Sequence, residues 1–435
     1  MSSESLHKKK LALTYVILSI TASFLLTALA KTYQISFVRI MAPPDGSGPP
    51  SVFIADFLYY LVLVKGFWLE NARNLYDSTS HVATVGNYLN VELQTTMPAG
   101  FLPSVVFLLF PFSLMLSYDE TFTLMLFNCF SLCVAAWALL AFLERYNFTP
   151  FKHRVTCSLL LLFVVFSEAF EIWLIQGQLT LLAFASLTAT YFTNFQTIHR
   201  RSWSAELFNI LVVTTKLHYA VLFAAILLSK KAYGSFFRFA LVLGTILSIF
   251  TLLAGTSWIA HYAASLQYFA RTDPPSHMAK AFASQEYLSF WRIFNPILGP
   301  EGLALVMAIV SLSFLTVCSI YAIRYRLSAE NRTALLLWLA LSHYLLFSSY
   351  VGYYELLLCP LLVILVLTQA VPSFLNWALI VLLVPVLNPL ITTAVLGTYG
   401  AWLLRLIFFA LGGLVLLRIR PNQGAVPTTE LSEGY

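Results

Sequence analysis

Long apolar runs are the feature that most constrains this chain. They recur from residue 11 to residue 417 with short interruptions, and each has about 20 residues, the length of helix that crosses a ~30 Å hydrocarbon core. Charged residues make up 10% of the 435 residues, whereas soluble domains carry about 25%. This composition excludes a soluble globule. It predicts an all-α polytopic membrane protein, with one membrane domain over residues 1–420 and a short polar cytoplasmic tail over residues 421–435.

The net charge of +6 is distributed in short basic clusters between the apolar runs. A nucleic-acid-binding protein concentrates such charge on one face, so nucleic acid is not expected as a partner. Membrane proteins carry their excess of Lys and Arg in cytoplasmic loops. Placing every basic cluster in the cytoplasm predicts about twelve membrane helices, cytoplasmic N- and C-termini, and two large outer loops over residues 31–120 and 256–302.

Two apolar runs do not fit a full crossing. Residues 100–116 contain Pro103 and Pro111, which interrupt helical hydrogen bonding, so we expect re-entrant or interfacial helices there, within the first outer loop. Residues 205–228 begin and end beside basic clusters, yet they are too few for a round trip across the membrane. We therefore predict two half-length helices that meet within the membrane, with Lys216 and His218 at their junction.

Asp56 is the first candidate for chemistry, because it lies among apolar residues in the first outer loop. Partial burial raises the pKa of a carboxyl group and makes the carboxylate a better proton acceptor. An Asp that caps an interfacial helix gives the same pattern, so both interpretations stay open.

Lys216 is the second candidate, since an ionisable group at membrane depth costs at least ~2.5 kcal/mol and usually has a function. A lipid phosphate is a natural counter-ion. A structural ion pair with Glu168 or Glu171 is the alternative.

Three further residues combine polarity with a helix boundary. Gln178 offers an amide for a sugar hydroxyl or a phosphate, although an ordinary polar boundary fits equally well. Tyr354 has the position of an interfacial anchor, and Glu355 stands directly before an apolar run. The five cysteines lie in or beside apolar runs, so neither a disulfide framework nor a zinc site is predicted.

In this order, the residues resemble the GT-C superfamily of polytopic glycosyltransferases, and in particular the bacterial family of polyprenyl-phosphate-mannose-dependent mannosyltransferases. The resemblance extends from residue 11 to about residue 370 and depends on the shared order of motifs of one to three residues. The chain departs from the family pattern at Met97 and at Glu355. The matching positions are Asp56, Leu75-Tyr76-Asp77, Met97-Pro98, Gly177-Gln178, Thr215-Lys216-Leu217 and Tyr354-Glu355.

The resemblance implies a GT-C-like helical bundle and an inverting transfer of a hexose or pentose from a polyprenyl-phosphate donor to a lipid or glycan acceptor. Asp56 would be the general base, and Lys216, with His218 and Arg292, would bind the donor phosphate. No metal is expected, because nothing in the sequence looks like a dedicated metal cage. No cofactor is expected either, and the lipid-phosphate sugar is a co-substrate. The reaction would take place on the outer face of a bacterial plasma membrane. The expected substrate contacts are Tyr59, Tyr60, Tyr76, Gln178, Tyr354 and Glu355.

Two other functions remain compatible with these residues. A transporter or flippase of a lipid-linked or anionic substrate would use Lys216, Glu168 and Glu171 as a coupling path. A membrane polysaccharide polymerase or ligase would also use charges of the outer loops, with basic residues dominating its essential set.

Overall fold

The computed structural model describes residues 38–41, 51–54, 56–90, 99–145, 163–193, 203–270, 329–347, 353–367 and 373–418, together with part of 294–316. A 3₁₀ segment, Tyr353–Leu358, precedes the last three helices. In chain order the helices are α1 (Asp56–Leu69), α2 (Ser78–Leu89), α3 (Val105–Leu108), α4 (Phe110–Met115), α5 (Glu120–Arg145), α6 (Glu168–Gln176), α7 (Thr180–Phe192), α8 (Trp203–Val213), α9 (Leu217–Ser229), α10 (Tyr233–Ala254), α11 (Trp258–Ala270), α12 (Ala329–Phe347), α13 (Cys359–Leu367), α14 (Ser373–Leu387) and α15 (Pro389–Arg418).

The helical class is confirmed, with one addition in the first predicted outer loop. Strands β1 (Val38–Met41) and β2 (Ser51–Ile54) pair antiparallel, with Val38 opposite Ile54. The strand β2 ends two residues before α1, so the hairpin leads the chain directly to Asp56.

The protein is a helical membrane protein. Among the described residues, α5, α10 and α15 are each long and apolar enough to span a bilayer, and α6 with α7 forms a fourth candidate bent by 112°. Helix α10 exposes large apolar side chains such as Leu241 and Leu252, which is typical of a lipid-facing surface. The total of about twelve spans stays a prediction, and the predicted first span, residues 11–30, lies outside the described residues.

The proline-containing run does not form one continuous helix, as predicted. It forms the short helices α3 and α4, with Phe101 and Val106 fully buried. The Leu102 amide donates to the Thr215 carbonyl at 2.7 Å, and the Ser104 hydroxyl donates to the Thr214 carbonyl at 2.5 Å. These two bonds attach the run to the end of α8, where helix carbonyls have no partner within the helix.

The predicted pair of half-length helices is also present. Helix α8 has 11 residues and α9 has 13, and the helical conformation is interrupted between them at residues 214–216. Lys216 has extended backbone geometry at the N-cap of α9. Since Leu102 and Ser104 donate hydrogen bonds to the carbonyls of Thr215 and Thr214, the interruption between the helices is compatible with apolar surroundings.

The two predicted outer loops contact each other. The Asn74 amide donates to Ser257 at 3.3 Å, and the same nitrogen lies 2.9 Å from His261 Nδ1. The Tyr76 ring packs against Trp258, with 5.7 Å between ring centroids. Residues 74–77 and 257–261 therefore lie on the same side of the molecule.

Candidate functional site

Asp56 is the first residue of α1, and its partner comes from a turn 122 residues later. The Gln178 side-chain amide donates to Asp56 Oδ2. Gln178 is fully buried, whereas Asp56 is half-buried. The contact fixes one carboxylate oxygen of Asp56. The Gln178 Oε1 atom is buried and has no hydrogen-bond partner among the described residues.

Gly177 explains how this turn approaches α1 so closely. It ends α6 with φ of 63°, a left-handed conformation that glycine adopts at little cost. A Cβ atom here would overlap the Phe57 side chain and lie 2.6 Å from Leu124 Cδ1. Because Gly177 has no side chain, the turn can lie close enough to α1 for Gln178 to reach Asp56. This explains why glycine precedes Gln178 in the sequence.

Tyr60 lies one helical turn after Asp56 on α1 and is buried. Burial raises the pKa of the Tyr60 phenol well above its usual value, and the charges of Asp56 and Glu355 add to the rise. The phenol thus keeps its proton. A hydrogen bond with the Gln178 side chain acts in the opposite direction and lowers the pKa of Tyr60.

Lys216 forms a buried ion pair with Glu355. The Lys216 Nζ atom lies 2.6 Å from Glu355 Oε1, and the two side chains are 9% and 2% exposed. The Tyr219 hydroxyl donates to Glu355 Oε2 at 2.6 Å. Lys216 also lies 4.9 Å from the centroid of the Tyr354 ring, within the range of a cation–π contact. A buried charge is tolerated only with such partners.

One hydroxyl joins the Asp56 side of the site to the Lys216 side. The Tyr219 oxygen lies 3.0 Å from Thr180 Oγ1, and Thr180 follows Gln178 by two residues. Four separate chain segments therefore converge within apolar helices. We call this group the buried polar cluster; its members are Asp56, Tyr60, Gln178, Thr180, Lys216, His218, Tyr219, Tyr354 and Glu355.

The proposed pairing of Lys216 with Glu168 or Glu171 is wrong. Both oxygens of Glu168 accept the backbone amides of Leu390 and Ile391, at 2.6 and 3.1 Å. Glu168 therefore caps the N-terminus of α15, where a negative charge is favourable. Glu171 is exposed.

The other predicted site residues lie apart from the cluster or outside the described residues. The Tyr59 hydroxyl lies 2.9 Å from His81 Nδ1, and the Tyr76 hydroxyl donates to the Phe101 carbonyl at 2.8 Å. Both contacts hold the first outer loop together. Arg292 lies outside the described residues.

Sequence reasoning missed Tyr219 and Thr180, and it missed Tyr344, whose ring stacks on His218 with centroids 4.0 Å apart. The only signal for Tyr219 was its place one turn after Lys216. Thr180 gave none, because threonine is common within membrane helices. Within the described part of the chain, no group of three or more His, Cys, Asp or Glu residues has the geometry of a metal site.

An apolar groove opens between α5, α7 and α8. Its volume is about 240 Å³, and Phe130, Trp137, Ala185, Ala189 and Phe208 are among its lining residues. Two of these helices lead to the buried polar cluster. Thr180 is the first residue of α7, and Lys216 follows the end of α8 by three residues.

No family model, curated protein or solved structure matches the chain.

Proposed function

We propose that this protein is an inverting glycosyltransferase that moves a hexose or pentose, such as mannose, from a polyprenyl-phosphate donor to a lipid or glycan acceptor. One observation carries the proposal: a carboxylate with a fixed orientation and an ammonium group belong to one buried cluster in a helical membrane protein. A transfer between membrane lipids requires such a pair, because a proton leaves the acceptor while negative charge develops on the donor.

In this reaction the acceptor hydroxyl attacks the anomeric carbon of the sugar. Asp56 takes the hydroxyl proton, the new C–O bond forms, and the bond between the anomeric carbon and the phosphate oxygen breaks. The electron pair of that bond leaves with the polyprenyl phosphate, and attack from the opposite face inverts the configuration. Gln178 contributes by holding Asp56 in one orientation, which reduces the entropic cost of reaching the reactive geometry.

Lys216 stabilises the phosphate as its charge rises, with His218 and Arg292 as further contacts. Phosphate is already a good leaving group, so cationic stabilisation matters more than an acid. In this proposal, substrate hydroxyls are bound by Gln178, Tyr60, Tyr354 and Glu355. Tyr59 and Tyr76 of the first outer loop are further substrate contacts. The proposal includes no resident metal and no cofactor.

The apolar groove between α5, α7 and α8 supports a lipid donor. Its lining is apolar apart from the side chain of Asn209 and the indole N–H of Trp137. The apolar lining of the groove suits a segment of the polyprenyl chain of the donor. We place the active site on the outer face of a bacterial plasma membrane, with both termini in the cytoplasm, because the basic clusters then obey the positive-inside rule.

The proposal is tested by transfer in vitro. Purified protein is mixed with a panel of polyprenyl-phosphate sugars and with extracted membrane lipids and glycans, and products are identified by mass spectrometry. We expect one donor to give polyprenyl phosphate and a glycosylated acceptor in equal amounts. The configuration at the new bond should be inverted. Failure of every donor in the panel contradicts the proposal.

The buried pair of Lys216 and Glu355 favours one second candidate, a transporter or flippase, because such pairs also occur on coupling paths. A transporter moves a lipid-linked sugar across proteoliposomes without forming a new glycosidic bond. The same donor panel, assayed for translocation and for transfer, distinguishes the two functions.

A further inference from the structure

Three side chains at the start of α9 point their donor groups at a single carboxylate. The Lys216 ammonium and the Tyr219 hydroxyl each lie 2.6 Å from an oxygen of Glu355. The Nε2 atom of His218 lies 3.8 Å from Glu355 Oε2. Lysine, tyrosine and histidine are donors that also bind phosphate oxygens. Glu355 thus occupies a site whose chemistry suits an oxyanion.

The carboxylate does not use this donor set fully. A distance of 3.8 Å is too long for a hydrogen bond, and His218 Nε2 is a buried atom without a hydrogen-bond partner among the described residues. A carboxylate has two oxygens. The phosphodiester of the donor has two non-bridging and two bridging oxygens, and the polyprenyl phosphate that leaves has three terminal oxygens. A donor phosphate in the place of Glu355 would offer oxygens to all three donors, and after the sugar has left each donor would have its own terminal oxygen.

The local backbone adds to the attraction for an anion. Lys216 occupies the N-cap of α9 and makes no side-chain cap hydrogen bond, so the first amides of this 13-residue helix lack a side-chain acceptor from that residue. The N-terminus of a helix carries partial positive charge and favours phosphate. The ammonium and the helix terminus therefore act in the same direction.

The donors and the carboxylate belong to elements of different kinds. Lys216, His218 and Tyr219 are consecutive or nearly consecutive at the beginning of α9, whereas Glu355 lies on the 3₁₀ segment Tyr353–Leu358. Hydrogen bonds in 3₁₀ geometry are poorer than those in α-helices. A shift of the 3₁₀ segment that carries Glu355 should therefore cost less than a shift of α9, which carries the three donors.

We infer that Lys216, His218 and Tyr219 form the binding site for the phosphate of the lipid donor, and that Glu355 fills this site until the phosphate displaces it. The inference rests on the proposed function for the identity of the ligand. Its physical basis is charge: Lys216 and Glu355 neutralise each other, and a phosphate placed beside an ionised Glu355 would meet a like charge at close range. Binding therefore exchanges one anion for another.

The test measures the dissociation constant of polyprenyl monophosphate for purified protein in lipid nanodiscs. Glu355→Gln keeps the size of the side chain and removes the competing charge. We expect this variant to bind polyprenyl monophosphate about tenfold more tightly than the parent, since a charge-assisted hydrogen bond no longer has to be broken. The ligand should also raise the thermal midpoint of Glu355→Gln more than that of the parent.

Glu120→Gln is the matched control, because Glu120 also accepts a hydrogen bond from a tyrosine, Tyr88, but does not belong to the buried polar cluster. Its dissociation constant should equal that of the parent. If Glu355→Gln does not fold, Glu355→Asp replaces it, because the shorter side chain withdraws the carboxylate by one methylene. Tighter binding of polyprenyl monophosphate than by the parent is again the expected result. Unchanged or weaker binding by the Glu355 variant, when the parent binds, overturns the inference and makes Glu355 a residue that positions Lys216.

Inorganic phosphate is the second probe. If it binds as tightly as the lipid and responds to Glu355→Gln in the same way, the exchange is supported while the proposed lipid donor is not. A parent protein that binds neither probe overturns the exchange, whereas detection of sugar transfer by that same protein would leave the proposed function standing.

Discussion

At the scale of single residues, one substitution separates the two roles considered for Asp56, the proposed general base and a helix cap. Asp56→Asn keeps the size of the side chain and its capacity to cap a helix, but it removes the proton acceptor. We expect transfer to fall by about 10²- to 10⁴-fold, the usual effect of losing a general base. Donor binding should persist, because the sign of the Asp56 charge opposes phosphate binding. Rates of transfer and donor affinity are measured on the purified variant.

Asp77→Asn provides the comparison. Asp77 caps α2 by accepting the Ser80 amide at 2.9 Å, so it has the capping role considered for Asp56 without belonging to the buried polar cluster. This variant should transfer sugar at close to the parental rate. Activity of Asp56→Asn within about threefold of the parent would leave Asp56 with a capping role only.

Lys216 requires a double substitution, because removing it alone leaves Glu355 buried and unpaired. Lys216→Ala is expected to destabilise the protein by about 3–5 kcal/mol. Replacing both partners, Lys216→Met with Glu355→Gln, removes both charges at similar volume and should restore most of this stability. Both variants should lose affinity for polyprenyl phosphate. Thermal midpoints and lipid binding distinguish the effects.

A stable double variant that binds the lipid as the parent does would restrict Lys216 to a structural role. Lys216→Arg should retain part of the affinity, since charge matters more than shape at a phosphate.

The sequence predicted where the polar residues of the site lie along the chain, but not every pair that they form. Lys216 was recognisable because a cation stood within an apolar run. Its partner, Glu355, is 139 residues away, and Glu168 and Glu171 were at least as plausible. Periodicity and composition describe neighbours in sequence, whereas this contact depends on how the helices pack. The same reason explains why Thr180 and Tyr219 were missed.

At the scale of elements, the end of α6 determines how the turn at Gln178 reaches α1. Gly177→Ala should lower stability for two reasons: a left-handed φ costs a residue with a Cβ about 1–2 kcal/mol, and overlap with Phe57 adds about 1–3 kcal/mol. The turn must also move away from Asp56. We therefore expect transfer per folded molecule to fall, as measured in parallel with the thermal midpoint.

Gly412→Ala is the control for packing alone. A Cβ at Gly412 would overlap the ring of Trp338, which fastens α12 to α15 through a 2.9 Å hydrogen bond from its indole to the Phe409 carbonyl. This variant should lose stability while each folded molecule keeps its activity. Equal activity per folded molecule in the two variants would separate Gly177 from the chemistry.

Interrupted helices were easier to predict than the strand pair. The breaks near Lys216 and in the proline-containing run follow from length and from the missing amide of proline, which are properties of a short stretch of sequence. The hairpin of β1 and β2 also had a local signal, since its two apolar strands flank a segment rich in Pro and Gly. The predominance of apolar runs concealed that signal.

At the scale of the whole molecule, the contact between the two loops limits the possible topologies. Asn74 binds Ser257 and His261, so both loops lie on one side of the protein. Helix α10 leads from Tyr233 to the second loop with 22 residues, which is about 33 Å of helix and enough to cross a bilayer. A bilayer crossed by α10 would therefore separate the basic residues 230–238 from the loops.

Single cysteines test the orientation that the positive-inside rule predicts. Thr79 on α2 is exposed, and Tyr233 at the start of α10 is 63% exposed. In a background without the five native cysteines, Thr79→Cys should react with a membrane-impermeant maleimide in intact cells, and Tyr233→Cys should react only after permeabilisation. The reason is that the cell retains the basic end of α10 in the cytoplasm, and the length of α10 then carries the loops outside. The reverse pattern would place the buried polar cluster on the inner face, where the donor and the acceptor of the proposed reaction would have to be cytoplasmic.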